Sequence, residues 1–352
     1  MPERAHVLFV ISDIGVCDHA AALIRQFAMA GGKVTVANVS GSEFPFSQRK
    51  NFDSYPSLCS EDALSSLQCF DAVWLDTPYV KALPEAWRRL PGTVRLVYSG
   101  YGIQLTEWQE GHFGLPIFEH IDPIMVSSQS DFDHFIGFGR EKLIFSGDPL
   151  LYEVSRVSRG KKEPQVVEKI LWAPHWTTRW VDGTPGFATW QWSTKPLYKY
   201  FRSNPERFLV IRPHPLLNIR EGSWKSRRHY RKLIALPNVS VSEESFLADL
   251  LRTQVLISDG VSILGYYGAL GKPVVFLQNA GAAPPLNENG RKVSASCFPV
   301  DSSRGLTRIL THHIFLPDIP CLSRDLPEVV REHFPLFNSS PGKILLDYLD
   351  GT

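Results

Sequence analysis

The sequence has few cysteines and no long apolar run, and these absences exclude several classes of protein. Five cysteines are scattered over 352 residues, in an odd number and without a Cys-x-x-Cys pair or a His/Cys cluster at zinc spacing. We therefore expect no disulfide scaffold and no structural zinc site, and we predict reduced cytosolic thiols. No apolar run approaches the ~20 residues that cross a bilayer. The early run at 6–11, HVLFVI, is too short for a signal peptide.

The chain also lacks a marked excess of charge of either sign. It has 37 Lys and Arg against 36 Asp and Glu, a formal net charge of +1. This balance gives no support for nucleic-acid binding, so any anion must be recognised locally. At 43% hydrophobic and 21% charged residues, the chain can bury real cores. Its length favours two domains at about 150 residues per domain.

Short apolar runs alternate with helical patterns in the first part of the chain. After the run at 6–11, Ser12-Asp13 precede a helix with its body at 21–30, and Gly31-Gly32 end it. Alternation of this kind predicts a parallel sheet covered by helices on both faces. The further predicted strands are 33–39, 71–76, 94–99, 123–128 and 143–147.

A polar segment at 155–165, SRVSRGKKEPQ, reads as a linker before a second alternating series. The strands predicted there are 170–176, 207–215, 239–245, 255–260 and 273–278. We predict an N-terminal Rossmann-like domain at 1–155, a C-terminal Rossmann-like domain at 166–325, and a C-terminal helix within 326–352 that packs back across the domains. Two such α/β domains place a cleft between them, with ligands outside the carboxyl ends of the strands.

Polar side chains follow three predicted strands of the second series. Arg can clamp phosphate oxygens, His can donate to phosphate or move a proton, and a helix N-terminus offers free backbone N–H groups. Together they suit a diphosphate. A structural histidine and an ordinary turn with a helix cap remain the alternatives for each motif taken alone. The candidates are Pro174, His175, Arg212, His214, Ser258, Asp259, Gly260 and Ser262.

Three motifs, WAPHW (172–176), RPHP (212–215) with the following Leu-Leu, and SDGVSILGYYGALGKPVVFL (258–277), resemble the CDP-glycerol glycerophosphotransferase family of teichoic-acid and capsule synthesis. The resemblance covers about 168–282 well and 94–150 loosely. It implies a GT-B-like fold, with two Rossmann-like doubly wound domains facing across a cleft and the donor held mainly by the second. It further implies that His214 and Ser262 hold the donor pyrophosphate.

In the same resemblance, Asp259 and Gly260 shape the helix entrance, and His175 borders the donor. One departure concerns the first domain, where the family's polymerases carry a Trp-His-Gly-Thr motif whose His is the implied base. The matching segment here is YSGYG (98–102), so Ser99, with Gly100 and Tyr101, takes that acceptor-side place. Serine is a poor base at neutral pH. The candidates for the base stay open: Asp13, His19, Glu107, Glu110, His112 and Glu119, with His175 and His214 as further catalytic candidates.

The predicted function is that of a transferase. It moves glycerol phosphate, or a similar polyol phosphate, from a CDP-linked donor to a hydroxyl of a glycan, lipid-linked or small acceptor and releases CMP. We predict no required metal and no other cofactor, on the interpretation that no Asp-x-Asp metal motif is present. The alternatives are a GT-B glycosyltransferase with a UDP- or CMP-sugar donor, and an inactive nucleotide-binding scaffold.

Two further segments each have two alternative interpretations. KSRRHYRK (225–232) predicts a solvated helix with one packed face, and its alternative is attraction to an anionic membrane surface or a phosphorylated acceptor. WTTRWVDGTPGFATWQW (176–192) predicts a long loop near the cleft, and its alternative roles are to stack on a base or sugar ring or simply to cover the second domain. We predict a cytoplasmic enzyme, with peripheral contact at the inner face of the membrane as an open alternative, no nucleic-acid partner and no assigned oligomeric state.

Overall fold

The structure is a computed structural model that describes residues 4–11, 17–38, 67–77, 92–100, 102–107, 114–158, 169–179, 186–279, 282, 284–312, 325–335 and 339–351. The chain divides into two compact units. Unit 1 comprises Met1–Gln104, Trp108–Arg156 and His333–Thr352, and unit 2 comprises Leu105–Glu107 and Val157–Glu332. The last residues of the chain thus belong to the same unit as the first.

Each unit contains one six-stranded sheet whose paired neighbours are all parallel. The strands of unit 1 are β1 His6–Ile11, β2 Lys33–Asn38, β3 Ala72–Leu75, β4 Arg95–Ser99, β5 Ile124–Val126 and β6 Leu143–Phe145. Those of unit 2 are β7 Lys169–Ala173, β8 Phe208–Ile211, β9 Val239–Val241, β10 Val255–Ser258, β11 Val274–Leu277 and β12 Phe298–Val300. The predicted α/β class with two doubly wound parallel sheets is confirmed.

Helices connect the strands, as parallel pairing requires. They are α1 Cys17–Met29, α2 Gln129–Phe135, α3 Pro149–Ser158, α4 Trp190–Ser203, α5 Trp224–Ile234, α6 Phe246–Arg252, α7 Ser262–Ala269, α8 Glu288–Ala295, α9 Ser303–His312, α10 Leu326–His333 and α11 Pro341–Asp350. Among the helices of the described ranges, none is long and apolar enough to cross a membrane.

The order of the strands shows where the chain switches from one side of the sheet to the other. Unit 1 runs β2-β1-β3-β4-β5-β6, and unit 2 runs β12-β11-β10-β7-β8-β9. In unit 2 the chain builds outward from β7 to β9 and then returns to place β10 on the other side of β7. A doubly wound sheet binds its ligands at such a switch point, outside the carboxyl ends of the strands. The β7/β10 junction is therefore the place to look for a site in unit 2.

Three neighbouring helices cover one face of the unit 2 sheet. One buried cluster joins side chains of α4, α5 and α9 to alternate residues of the central strands, including Ile170, Trp172, Leu209 and Ile211. Because alternate strand residues point to the same face, the three helices share that face. The packed side of α5 carries Tyr230 and Leu233, so the predicted helix with one packed face at 225–232 is confirmed.

Helix α11 packs on α1 within unit 1. A Cβ added to Gly342 would lie 2.2 Å from the backbone nitrogen of Phe27, so the two helices approach too closely for any larger residue there. Asp350 accepts hydrogen bonds from the Arg4 guanidinium (2.7 Å) and the Ala5 amide (3.0 Å). The final helix is therefore part of the unit 1 core layer.

Candidate functional site

The three candidate motifs follow strands that lie side by side in the sheet of unit 2. The central order is β10-β7-β8, so the segments after these strands meet at one sheet edge. The His214 amide donates to the Pro174 carbonyl (3.0 Å), which ties the segment after β8 to the one after β7. The His175 amide donates to the Asp259 carboxylate (2.6 Å), which ties the latter to the segment after β10. Residues far apart in sequence thus form one site.

His175 is held from several directions. Its ring stacks on Phe187, with centroids 4.9 Å apart and planes at 19°. Its Nδ1 lies 2.9 Å from the Thr177 hydroxyl and accepts a long bond from the Thr177 amide (3.4 Å). A neutral ring whose Nδ1 accepts a backbone N–H carries its proton on Nε2. His175 is therefore a fixed imidazole that offers an N–H group from Nε2.

His214 lies beside it in the same protonation form. The two imidazole centroids are 5.0 Å apart in an edge-on arrangement. The Leu216 amide donates to His214 Nδ1 (3.2 Å), so this ring also carries its proton on Nε2 when neutral. Trp176 lies near both rings, 5.8 Å from His175 and 6.2 Å from His214. The pair thus presents two imidazole donors in an aromatic setting.

Burial keeps both imidazoles neutral. It lowers the pKa of His175 well below its usual value, and the neighbouring His214 lowers it further. Burial also lowers the pKa of His214 to about 4. Removal from water disfavours the charged form of a base, and a second imidazole nearby adds repulsion. At neutral pH the two rings therefore act as hydrogen-bond donors rather than as cations.

Asp259 links the loops around this pair. Besides the His175 amide, its carboxylate accepts hydrogen bonds from the Thr189 amide and the Thr189 hydroxyl (2.8 Å for the hydroxyl). Its side chain is buried, and burial raises the pKa of the carboxyl, against the lowering effect of the bonds from Thr189 and His175. Ser258 is buried beside it, donating to the Ala173 carbonyl (2.8 Å) and accepting from the Gly260 amide (3.0 Å). Both side chains thus organise the site from within.

The N-terminus of α7 completes the edge. A Cβ on Gly260 would lie 3.4 Å from His175 Cδ2, which puts the imidazole against the helix entrance. The residue before the helix, Val261, provides no side-chain cap, and Ser262 in the first turn is partly exposed. The Leu264 amide donates to the Val261 carbonyl (3.0 Å), and the amides of Ser262 and Ile263 precede the first intrahelical acceptor and carry the positive end of the helix dipole. The helix entrance thus adds further donors beside the imidazole pair.

Arg212 is engaged with a buried carboxylate. Its guanidinium donates to Asp249 (2.8 Å) and to the Glu244 carbonyl (2.8 Å), and it lies 5.4 Å from the centre of the Phe246 ring. Asp249 is fully buried and also pairs with Arg252 at 2.7 Å. Arg212 keeps 23% of its side chain exposed. Its predicted contact with phosphate remains a prediction.

Several residues at this edge were not candidates from the sequence. Asn279, after β11, donates to the carbonyls of Ala188 (3.1 Å) and Gly186 (3.4 Å) and accepts from the Trp192 indole (2.9 Å). Its place two residues after the buried strand β11 is the signal that would have found it. Thr177 and Thr189 have no comparable signal in the sequence. Thr177 contacts His175 within its own loop, and Thr189 bonds to Asp259, which is distant in sequence.

The described part of segment 176–192 is closely packed. Phe187 and Trp190 are buried, and Trp190 begins α4 rather than ending a loop. Residues 180–185 lie outside the described ranges, so the predicted loop role is untested there. Trp176 and Phe187 flank His175, whereas Trp190 and Trp192 pack in and against the core cluster of unit 2.

The acceptor-side candidates lie in unit 1 where the structure describes them. Ser99 ends β4 and is buried, and its hydroxyl accepts a hydrogen bond from the Trp74 indole (2.9 Å). Gly100 follows directly. Tyr101, and the base candidates Asp13, Glu110 and His112, lie outside the described residues.

The other base candidates have different surroundings. His19, in the first turn of α1, has its Nδ1 3.4 Å from an oxygen of Asp148, which is almost fully buried. The other Asp148 oxygen accepts from the Leu151 amide (2.7 Å) in the first turn of α3. Glu107 is exposed in unit 2, 3.8 Å from Arg291. Glu119 is exposed at the end of a short 3₁₀ helix, Pro116–Glu119. A carboxylate beside an imidazole is the arrangement that orients a base.

The interpretation that no Asp-x-Asp triplet is present was wrong, because Asp131-Phe132-Asp133 has this spacing. The structure gives the triplet a local role. Asp131 is buried in the first turn of α2 and accepts from the amides of Ser127 and Ser128 (3.1 Å each). Burial raises the pKa of the Asp131 carboxyl. Asp133 accepts from Gln129 at 2.7 Å. The two carboxylates therefore serve α2 itself.

Comparison with known proteins bears on the fold. No protein-family model and no curated protein matched the chain. Among solved structures, a variant of the wall teichoic acid polymerase TagF is similar at TM-score 0.65 and 12% identity, over 99% of this chain and 88% of that one. The UDP co-structure of MnaA from S. aureus is similar at TM-score 0.61 and 11% identity, over 99% and 96% of the two chains.

A third similar structure is the UDP-GlcNAc 2-epimerase of Methanocaldococcus jannaschii in complex with UDP-GlcNAc and UDP, at TM-score 0.61, 12% identity and 99% coverage of each chain. At these identities the likeness concerns the fold alone. The chain therefore has the two-domain GT-B-like fold of these proteins, as the sequence predicted.

Proposed function

We propose that this protein is a transferase that binds a nucleotide-linked donor in unit 2 and transfers a polyol phosphate from it. The donor we propose is a CDP-linked polyol such as CDP-glycerol, the acceptor is a hydroxyl of a glycan or a lipid-linked or small molecule, and CMP is released. The observation that carries the proposal is the pair of neutral imidazoles, His175 and His214, set beside the uncapped N-terminus of α7.

This edge offers hydrogen-bond donors to an anion. Two Nε2–H groups and the first-turn amides of α7 are donors, and the nearby carboxylate of Asp259 is occupied by its own three bonds. Neutral donors and helix amides bind a diphosphate without a full counter-charge, as helix N-termini do in other phosphate sites. Ser262 would add its hydroxyl. The pyrophosphate of a nucleotide donor is the ligand this set fits best.

The choice of a CDP-polyol rests on the motifs. WAPHW, RPHP and SDGVS occur in the order of the glycerophosphotransferase family that they resemble. A TagF variant structure with CDPG has the same fold. The same fold also occurs with UDP and UDP-GlcNAc, so the fold supports a nucleotide-linked donor and the motifs support its class.

In the proposed reaction the acceptor oxygen attacks the β-phosphorus in line. A new phosphorus–oxygen bond forms, the bond from the β-phosphorus to the bridging oxygen breaks, CMP leaves, and the acceptor proton passes to a base. His175 and His214 would donate to the pyrophosphate oxygens as charge moves to the leaving group. Catalysis of this kind is positioning and electrostatic stabilisation more than covalent chemistry.

For the base we propose His19. It is a candidate that the structure places beside a buried carboxylate, Asp148, at 3.4 Å. A carboxylate next to an imidazole is the geometry in which a second group orients a base. Ser99, which stands where the family's His stands, has its hydroxyl bonded to Trp74. This arrangement supports a base elsewhere in unit 1.

The second candidate function is transfer of a sugar from a UDP- or CMP-sugar, by attack at its anomeric carbon. Ser99 in place of the family's His is the observation that favours it, since the resemblance then lacks its catalytic residue. The pyrophosphate site would be the same. The identity of the nucleotide product separates the two reactions.

Calorimetric titration with CDP-glycerol, CDP-ribitol, UDP-GlcNAc and a CMP-sugar tests the proposal. We expect selective binding of a CDP-polyol, weakened about 30- to 100-fold in His214→Ala through the loss of one partly buried donor to a charged group. His229→Ala, a partly exposed histidine of α5, is the matched control and should bind like the wild type. Preference for a UDP- or CMP-sugar would replace phosphotransfer by glycosyl transfer. Equal binding by both variants would overturn the site.

A further inference from the structure

One helical face of unit 2 is uniformly basic. The three helices that cover this side of the sheet, α4, α5 and α9, contain ten Lys and Arg and no Asp or Glu. Nine of the ten are exposed, and Arg227 is partly so. Together they form what we call the basic face: Lys195, Lys199, Arg202, Lys225, Arg227, Arg228, Arg231, Lys232, Arg304 and Arg308.

The charge of this face is not neutralised within the molecule. None of the ten side chains forms an ion pair with a carboxylate in the part of the chain that the structure describes. The carboxylates nearest in sequence, Glu206, Glu221 and Asp301, lie in the segments that flank the helices. The remaining residues hold 27 Lys and Arg against 36 Asp and Glu. The net charge of +1 is therefore the sum of a basic face and a remainder of the chain that is acidic.

Large apolar side chains stand on the same surface. Trp224 begins α5 and is 58% exposed, and Ile234 ends the helix and is 38% exposed. The Arg228 guanidinium lies 6.0 Å from the centre of the Trp224 ring, so the indole stands among the cations. The apolar side of α5 is packed on the sheet, so this outer surface would meet a membrane through its cations, which bind phosphates, and through an indole at headgroup level.

We propose that the basic face docks this protein on an anionic membrane surface. Phosphate headgroups would meet the Lys and Arg side chains, and Trp224 would enter the interface. The proposal concerns a surface of unit 2 and does not rest on the proposed reaction or on the donor site. A lipid surface is favoured over an acidic protein or a nucleic acid because the exposed indole and the isoleucine are large apolar groups without a hydrogen-bonding role there.

Vesicle sedimentation tests this surface directly. The full chain would be mixed at low salt with vesicles of phosphatidylcholine, either alone or with one third phosphatidylglycerol. We expect binding to the anionic vesicles alone, and release as the salt concentration rises. A variant with Lys225→Ala, Arg228→Ala and Arg231→Ala should bind these vesicles roughly 100-fold more weakly, from the usual contribution of each basic residue near a charged membrane.

The matched control removes three cations elsewhere in unit 2, by Arg291→Ala, Lys292→Ala and Arg331→Ala on α8 and α10. It should bind anionic vesicles nearly as the wild type does. Trp224→Ala should weaken binding to vesicles while leaving binding of a short duplex DNA unchanged. Thermal unfolding of each variant checks the fold. Equal loss in both triple variants, equal binding to neutral vesicles, or tighter binding to the DNA than to anionic vesicles at the same salt would overturn the proposal.

Discussion

The carboxyl edges of the two sheets carry polar side chains that are engaged in different ways. In unit 2, Asp259, Ser258 and Asn279 bond mainly to the backbone of neighbouring loops. In unit 1, two of the described contacts join side chains, Trp74 with Ser99 and His19 with Asp148, although Asp131 there also accepts from backbone amides. The same architecture thus supports two kinds of polar edge.

The difference has a chemical consequence. In unit 2 the acceptors are consumed in fixing the loops, so the groups that remain are donors, namely two imidazole N–H groups and the amides of α7. Such an edge fits an anion. In unit 1 an imidazole lies beside a buried carboxylate, as the proposed base requires. Each of the following experiments changes one side of this contrast.

The largest effect is expected at His19. In His19→Gln the proposed base is lost, so turnover should fall by ~10²- to 10⁴-fold, the usual contribution of general base catalysis. Affinity for the donor, measured by calorimetry, should be unchanged, because the imidazole pair is in unit 2. Full turnover in this variant would remove His19 from the reaction and leave the candidates outside the described residues.

Asp259→Asn and Asp131→Ala make a matched pair. Both aspartates are buried and accept backbone N–H bonds. At 259 both carboxylate oxygens accept, so the NH2 group of Asn must break a bond, and at 131 alanine removes the single oxygen that accepts from Ser127 and Ser128. Each variant should lose about 3 kcal/mol of unfolding free energy in urea. Only Asp259→Asn should also weaken donor binding, because it releases the loop of His175. Weaker donor binding in both variants would show that lost stability, not the position of the loop, is responsible.

The neutral imidazoles make stability depend on pH. The pKa of His214 is about 4 in the folded chain and about 6.5 when unfolded. Between these values the unfolded state binds the extra proton, so stability is complete above pH 6.5 and falls as the pH drops towards 4. The loss from this residue should be about 2 kcal/mol once its partial exposure is considered. Urea unfolding of wild type and His214→Gln at pH 7 and 5 should show a smaller loss in the variant, and parallel curves would contradict this.

The smallest effect is expected at Ser99. Ser99→Ala leaves the buried Trp74 indole N–H without its acceptor, which should cost about 1 kcal/mol. Ser294→Ala removes a hydrogen bond on the exposed surface of α8 and is the control. If Ser99→Ala instead abolished turnover at unchanged stability, the serine would have a role in the reaction itself.

The strands could be predicted well because burial on both faces leaves a continuous apolar run. Residues 6–11 were predicted as a strand and form β1 within the same bounds. In unit 2 the predicted strands at 170–176 and 207–215 extended beyond β7 and β8, since the apolar run leads directly into the motif residues. The strand β12 was missed, because Phe298–Val300 is three residues long with a central proline.

The site could be predicted only in part. His175 and His214 were found from their position after strands, and the structure places them together. The engagement of Arg212 by Asp249 was not visible, because the partners are 37 residues apart and meet only when β8 and α6 pack. The bonds from Asp259 to Thr189, 70 residues away, have the same cause. The position of a residue after a strand predicts at which edge of the sheet it lies. The hydrogen-bond partner of each polar group depends on how the helices and loops pack, which the sequence does not show.

The place of α11 has a consequence for how the chain is made on the ribosome. Unit 1 needs this helix against α1, where Gly342 allows the close approach, yet α11 is synthesised after all of unit 2. Domains tend to fold as they emerge. The sheet of unit 2 can therefore form before α11 has been synthesised. Until then, the apolar side chains of α1 that pack on α11 remain exposed to solvent. Among nascent chains of different lengths, we accordingly expect those that contain unit 2 but end before residue 340 to bind chaperones most tightly.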